Sequence, residues 1–193
     1  MDLVVEGGSD EGAARRVVEA AGHAVVRVYV VRGTGNLDRR ITNYSRAART
    51  TPWVVFRDSD NACPVELRTR LLAGIPENPR FSLRIAHTMT EAWLMADRKG
   101  FADYFKVSVG TVPADPEAEP HAKRSLLALC LKSRNRDIRE EVAFDEAHPG
   151  PLFTDHLNGF ATRHWDIETA AQNSPSLRRA IAALAAMPNG ASE

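Results

Sequence analysis

Five carboxylates occupy positions where an α/β protein does its chemistry. Glu6 and Asp10 lie in VEGGSD after the apolar residues 2–5, Asp58 and Asp60 lie in FRDSD after residues 53–56, and Glu91 follows residues 81–86. Side chains at i and i+2 of an extended segment point the same way, about 6.5 Å apart along the chain. Asp58 and Asp60 are therefore expected to converge on one ion, with Glu6 reaching it from a neighbouring strand. Two carboxylates 4 Å apart repel by about 4 kcal/mol at an effective dielectric of about 20, so three such groups require a cation. Oxygen-only ligands suit Mg²⁺ or Mn²⁺, which keep several waters and leave room for a phosphate. Zinc does not fit, because neither Cys63 nor Cys130 has a ligand-spaced Cys or His partner.

Four of the five acids also have a plainer explanation. Asp10 and Glu11 fall in the first turn of a helix, where the dipole favours a carboxylate by roughly 0.3 to 1 kcal/mol. Asp58 and Asp60 suit a turn. Thr88 and Glu91 have the spacing of a T-x-x-E capping box. Asp97 lies about 240° around the helix from Glu91, so the two do not face one ion.

Arginine is the second chemical signal. It supplies 21 of the 25 basic residues, which favours bidentate recognition of phosphate or carboxylate over diffuse charge. Residues 27–49 hold six arginines and a single acid, Asp38. On a helical wheel Leu37, Ile41, Tyr44 and Ala48 share one side, while Arg39, Arg46 and Arg49 fall opposite. A solvated charged face is the default explanation. The scarcity of compensating acids and the Gly33-Thr34-Gly35 turn point instead to a nucleic-acid backbone laid on this face. Arg32 and Arg57 flank strand ends, where they are placed to stabilise transition-state charge.

The elements that must position these groups alternate. Residues 2–5, 24–31, 53–56 and 81–86 read as strands, and helices are expected from Asp10 with Ser9 as N-cap, from Asn36 to Ala48, over 64–72 and over 89–97. This order predicts a mostly parallel sheet of about four strands with flanking helices. The stretch TVPADPEAEP reads as an exposed connection. The remainder of the chain is helical in pattern: 125–133, 136–142, 152–160, 167–172, and a final helix with Ser174 as N-cap and Pro175 at its first position. Residues 1–106 are thus expected to form the α/β core and 107–193 a helical extension packed on it, with the tail PNGASE frayed.

Composition narrows the classes. With 193 residues, 44% hydrophobic and 26% charged, the chain reads as one folded domain plus a helical extension and excludes disorder or a rod. The 25 basic and 25 acidic residues balance, so any polyanion must be gripped locally. The front half carries a small positive excess and the back half a matching negative one. Two cysteines, no signal-like start and no long apolar run are expected of a reduced, cytoplasmic protein with no membrane contact. G-x-G-x-x-G, G-x-S-x-G and the ATP-binding G-x-x-x-x-G-K-S/T loop are all missing.

VEGGSD at a strand-to-helix turn, with a third strand later ending in DSD, resembles the Toprim fold shared by topoisomerases, bacterial primases and nucleases of the overcoming-lysogenization-defect type. FRDSDNACP and RIAHTMTEAWLMAD are similar to a group of small bacterial Toprim-like proteins over roughly residues 1–100. The resemblance implies a Rossmannoid core in which Glu6, Asp58 and Asp60 bind Mg²⁺ and Glu91 joins them, and a metal-dependent phosphodiester hydrolase acting on nucleic acid. It leaves open an effector or regulatory subunit active only with a partner ATPase, as in phage defence, or a module that binds nucleic acid without cutting it.

Overall fold

A computed structural model describes residues 1–188; the tail beyond Pro188, expected to fray, lies outside the described residues. Four short strands, β1 (Asp2–Val5), β2 (Arg27–Val30), β3 (Trp53–Asp58) and β4 (Phe81–Ala86), form one sheet in the order β2-β1-β3-β4. Every pairing is parallel. The central strands read DLVV and WVVF because a strand covered on both faces needs apolar side chains on both.

The alternation along the strands divides the interior. Val4, Val55 and Leu83 face one side, where they meet Leu37 and Ile41. Leu3, Val5, Val54 and Phe56 face the other. The first side is covered by α2 (Thr34–Asp38), α3 (Ile41–Ala47) and α4 (Pro64–Leu71). The second is covered by α1 (Glu11–Ala20), α5 (Thr90–Ala96) and α6 (Arg98–Phe105), together with the C-terminal helices α7 (Ala122–Leu131), α8 (Arg136–Glu141), α9 (Phe153–Arg163), α10 (Ile167–Asn173) and α11 (Pro175–Ala185). Leu126, Phe160 and Leu177 join Leu3, Phe56 and Trp93 in a single buried cluster. One hydrophobic core therefore crosses the expected boundary at residue 106.

Several local expectations change. The helix expected over 36–48 is two short helices separated at Arg39 and Arg40, and Gly33, at φ +103°, precedes the first of them. Asn36 is not its cap; its side chain donates to Arg32 O and accepts from Arg39 Nη2 at 2.6 Å. The division of faces survives the break, with Leu37, Ile41 and Ala48 buried and Arg39, Arg46 and Arg49 exposed. Helix α6 was not expected. Asp97 caps it by accepting from Gly100 N at 2.9 Å, while its second oxygen accepts from Asp166 N at 3.0 Å. The stretch read as an exposed connection is anchored. Pro116 is buried, and Glu117 Oε1 accepts from Ser176 N at 2.9 Å, from Ser176 Oγ at 2.8 Å and from Ser174 Oγ. Ser176 Oγ also accepts from the buried Trp93 Nε1 at 2.6 Å.

Candidate metal centre

Parallel strands end on the same side of a sheet, so the segments after β1, β3 and β4 meet there. Glu6 follows β1 directly, and its carbonyl accepts from Arg32 N at 2.9 Å, tying it to the end of β2. Its Oε1 accepts from Thr34 Oγ1 at 2.5 Å, whereas Oε2 is buried without a hydrogen-bond partner among the described residues. After the Gly7-Gly8 turn the chain makes a single 3-10 turn (Gly8–Asp10) rather than entering α1 at once. Ser9 makes no cap. Instead Asp10 folds back, its Oδ2 accepting from Gly7 N at 2.8 Å, and α1 begins one residue later than expected.

Asp58 closes β3 opposite Ala86 of β4. Its Oδ1 accepts from Thr90 N at 3.0 Å and from Thr90 Oγ1 at 3.1 Å, which docks the start of α5 on the strand end. That brings in Glu91, the next residue, only 3% exposed. The capping box expected of Thr88 and Glu91 does not form: Thr88 Oγ1 donates to Glu119 O at 3.1 Å, and the cap position belongs to Met89. Glu91 is thus held at the strand ends by its helix rather than spent on capping it.

The electrostatics of the four acids are shared. Burial first, then the Glu91 charge, pushes the Asp10 carboxyl up to about 7, against the hydrogen bond from Gly7 N, with Glu6 adding to the rise. Asp58 is raised well above its ordinary value by burial, then by Asp10, Glu91 and Glu6. Burial also raises Glu91, opposed by the positive charge of Lys123 on α7. A low-dielectric pocket that gathers carboxylates must take up protons or a cation.

Asp60 departs from the expected arrangement. Extended geometry ends at Asp58: Asp60 and Asn61 adopt φ of +47° and +68° in the left-handed region, which Asp and Asn tolerate. The turn sends the Asp60 side chain to Arg57 Nη1 at 2.7 Å and leaves it 46% exposed. Arg57 was expected to be free for substrate. Its guanidinium is instead buried between Asp60 and Asp38, with Nε 3.3 Å from Asp38 Oδ1, and it donates to Asp58 O as well. The arginines Arg32, Arg39, Arg46 and Arg49 are exposed, and none makes an ion pair with a described residue.

Glu6, Asp10, Asp58 and Glu91 supply only oxygen, and Glu6 Oε2 has no competing donor, so the chemistry of this set fits a hard divalent cation. Glu6 Oε1, Asp10 Oδ2 and Asp58 Oδ1 accept internal hydrogen bonds, whereas Asp10 Oδ1, Asp58 Oδ2 and the Glu91 carboxylate accept none from another described residue; no three His, Cys, Asp or Glu side chains among the described residues are arranged to hold one ion. Three contributors lay beyond sequence reasoning. Thr34 and Thr90 bind carboxylates from neighbouring segments, and Lys123 arrives from α7, which begins 26 residues past the end of α5. Asn158 on α9 pins the turn below Asp10, accepting from Gly12 N at 2.7 Å and donating to Gly8 O at 2.9 Å. A Cβ on Gly12 would stand 2.9 Å from Asn158 Cα, so only glycine admits this approach.

Among the described residues, no helix is long and apolar enough to cross a membrane. No protein-family model, no curated protein and no solved structure matches the chain.

Proposed function

We propose that the protein is a divalent-metal-dependent phosphodiester hydrolase of Toprim type acting on nucleic acid. The observation that carries this reading is the gathering of Glu6, Asp10, Asp58 and Glu91 at the strand ends, where burial and mutual repulsion raise the proton affinity of the last three. Mg²⁺ or Mn²⁺ held by these four, with Asp60 beside them, would neutralise the cluster and polarise a phosphoryl oxygen. Lys123 partly offsets the charge of Glu91 and sets how much negative charge is left. The exposed Arg32, Arg39, Arg46 and Arg49 would position a phosphate backbone without reading its sequence. Both cysteines are free thiols, which supports a reducing, cytoplasmic setting.

A second reading has one observation in its favour. No three of the acids are arranged to hold one ion among the described residues, as expected of an effector that completes its site only when a partner ATPase binds.

The test is to incubate the chain with supercoiled plasmid, tRNA and single-stranded DNA in Mn²⁺, alongside folded Glu6→Ala and Asp58→Ala variants. Cutting by the wild type that both variants lose is expected. Cutting that persists in both refutes the assignment. A wild-type chain that cuts nothing refutes activity of the chain alone, and adding a co-encoded ATPase then tests the second reading.

A further inference from the structure

On the side of the sheet remote from β2, the outer edge of β4 is unpaired, and α4 and α11 border it from either side. Between them lies a groove of about 520 Å³. Three arginines line it, Arg68 from α4, Arg84 from β4 and Arg179 from α11, and no carboxylate does. None of the three forms a salt bridge with a described residue. Arg68 and Arg84 both donate Nε to one carbonyl, Leu83 O, at 3.3 and 2.8 Å. Two like charges are thereby held against one another with their terminal nitrogens free of described protein acceptors.

The cost of this arrangement falls on Arg84. Burial, and after it the Arg68 charge, lowers its guanidinium to about 10. A guanidinium is normally charged under all conditions because its proton is held above 12, so an unmatched pair is costly unless an anion completes it. The rest of the lining combines Thr69, His87 and Ser176 with an apolar wall that includes Ile85 and Val65, the latter 73% exposed at the first turn of α4. An inorganic ion would leave that wall in water, whereas an anion with a flat apolar body would cover it. Guanidinium planes also accept stacked bases, and bidentate arginines match phosphate oxygens.

We propose that this groove binds a nucleoside phosphate, either free or as one residue of a strand, with Arg68, Arg84 and Arg179 on the phosphate and the base against Val65 and Ile85. The site is separate from the carboxylates and needs no metal. It is close to them in one respect. His87 borders the groove, and its Nδ1 lies 3.1 Å from Oγ of Ser59, which sits between Asp58 and Asp60. An occupant would touch the segment that carries Thr88 and Thr90 into the acidic cluster.

The test is calorimetric titration in EDTA with AMP, inorganic phosphate and a 5′-phosphorylated single-stranded oligonucleotide, on the wild type and on Arg84→Gln and Arg179→Glu. Saturable binding of AMP or the oligonucleotide is expected, at least about tenfold tighter than phosphate, and weakened about tenfold or more by each substitution. AMP binding more tightly identifies a free nucleotide, and the oligonucleotide binding more tightly identifies a strand. Arg179 is exposed on α11, so its variant keeps the test valid where Arg84→Gln fails to fold. Failure of all three probes to saturate the wild type, or unchanged affinity in the folded variants, overturns the proposal.

Discussion

Replacing Asp10 with Asn is expected to stabilise the metal-free protein, and only above mildly acid pH. Asp10 is 9% exposed, and its carboxyl rises from the ordinary 3.8 to about 7 on folding, chiefly through burial and then through Glu91. A carboxyl raised in the folded state has no effect below pH 3.8, where both states are protonated. Between pH 3.8 and 7 the unfolded chain ionises while the folded chain does not, so stability falls as pH rises, and above 7 the full penalty remains. At about 1.4 kcal/mol per pH unit the penalty is about 4 kcal/mol. An Asn at position 10 can still accept the hydrogen bond from Gly7 N, so the charge alone is removed. For a chain of this size about 4 kcal/mol corresponds to a rise in Tm of about 10 °C at pH 8. The assay is thermal melting monitored by circular dichroism in EDTA from pH 4 to 8, wild type against Asp10→Asn. A gain that grows through this range and vanishes near pH 4 is expected. An equal gain at every pH, or none at pH 8, refutes the idea that buried charge sets the cost.

The remaining predictions use the same structure. Millimolar Mn²⁺ at pH 8 should raise the Tm of the wild type, by stabilising the folded state it binds, and raise that of Glu6→Gln less; equal shifts in thermal melts would argue against a cation at the cluster. Glu117→Ala strips acceptors from Ser174 and Ser176 and should lower stability by about 2 kcal/mol in urea denaturation, with little change in its slope. Gly12→Ala drives a Cβ to 2.9 Å from Asn158 Cα and should cost about 1 to 3 kcal/mol by the same measurement.

Much of the α/β half was legible because its signals are local. WVVF has the apolar continuity of a covered parallel strand, VVRVYVV has the β-branched content of a strand although β2 lies at the sheet edge with Val30 39% exposed, Gly22 stops α1 at φ +84°, and Pro64 opens α4. Glu6, Asp58 and Glu91 could be nominated because each lies just past a strand, and parallel pairing brings such ends together. Where the structure differs, the cause is a local turn in one case and a partner distant in the chain in the others. Extended geometry would aim Asp60 with Asp58, but the chain turns left-handed there and Asp60 pairs with Arg57. Thr88 and Glu91 have the spacing of a capping box, yet Glu119 O, from a segment about 30 residues later, takes the threonine hydroxyl. Arg57 looked free because Asp38, its partner across the fold, lies 19 residues away.

By itself the sequence determined the order of the four strands and most of the helices, though neither α6 nor the break between α2 and α3, together with the parallel sheet that order implies, the split between buried and arginine-bearing faces of residues 34–48, and which acids stand at strand ends. These features arise from periodicity and turn chemistry, which act within a few residues. Tertiary structure alone decided the environment of those acids: that burial and mutual charge couple Asp10, Asp58 and Glu91, that Asp60 pairs with Arg57 while its charge still bears on Glu91, that Lys123 is the cation beside them, and that Arg68, Arg84 and Arg179 face one groove. Burial and charge coupling depend on distances through space, and residues far apart in the chain set them.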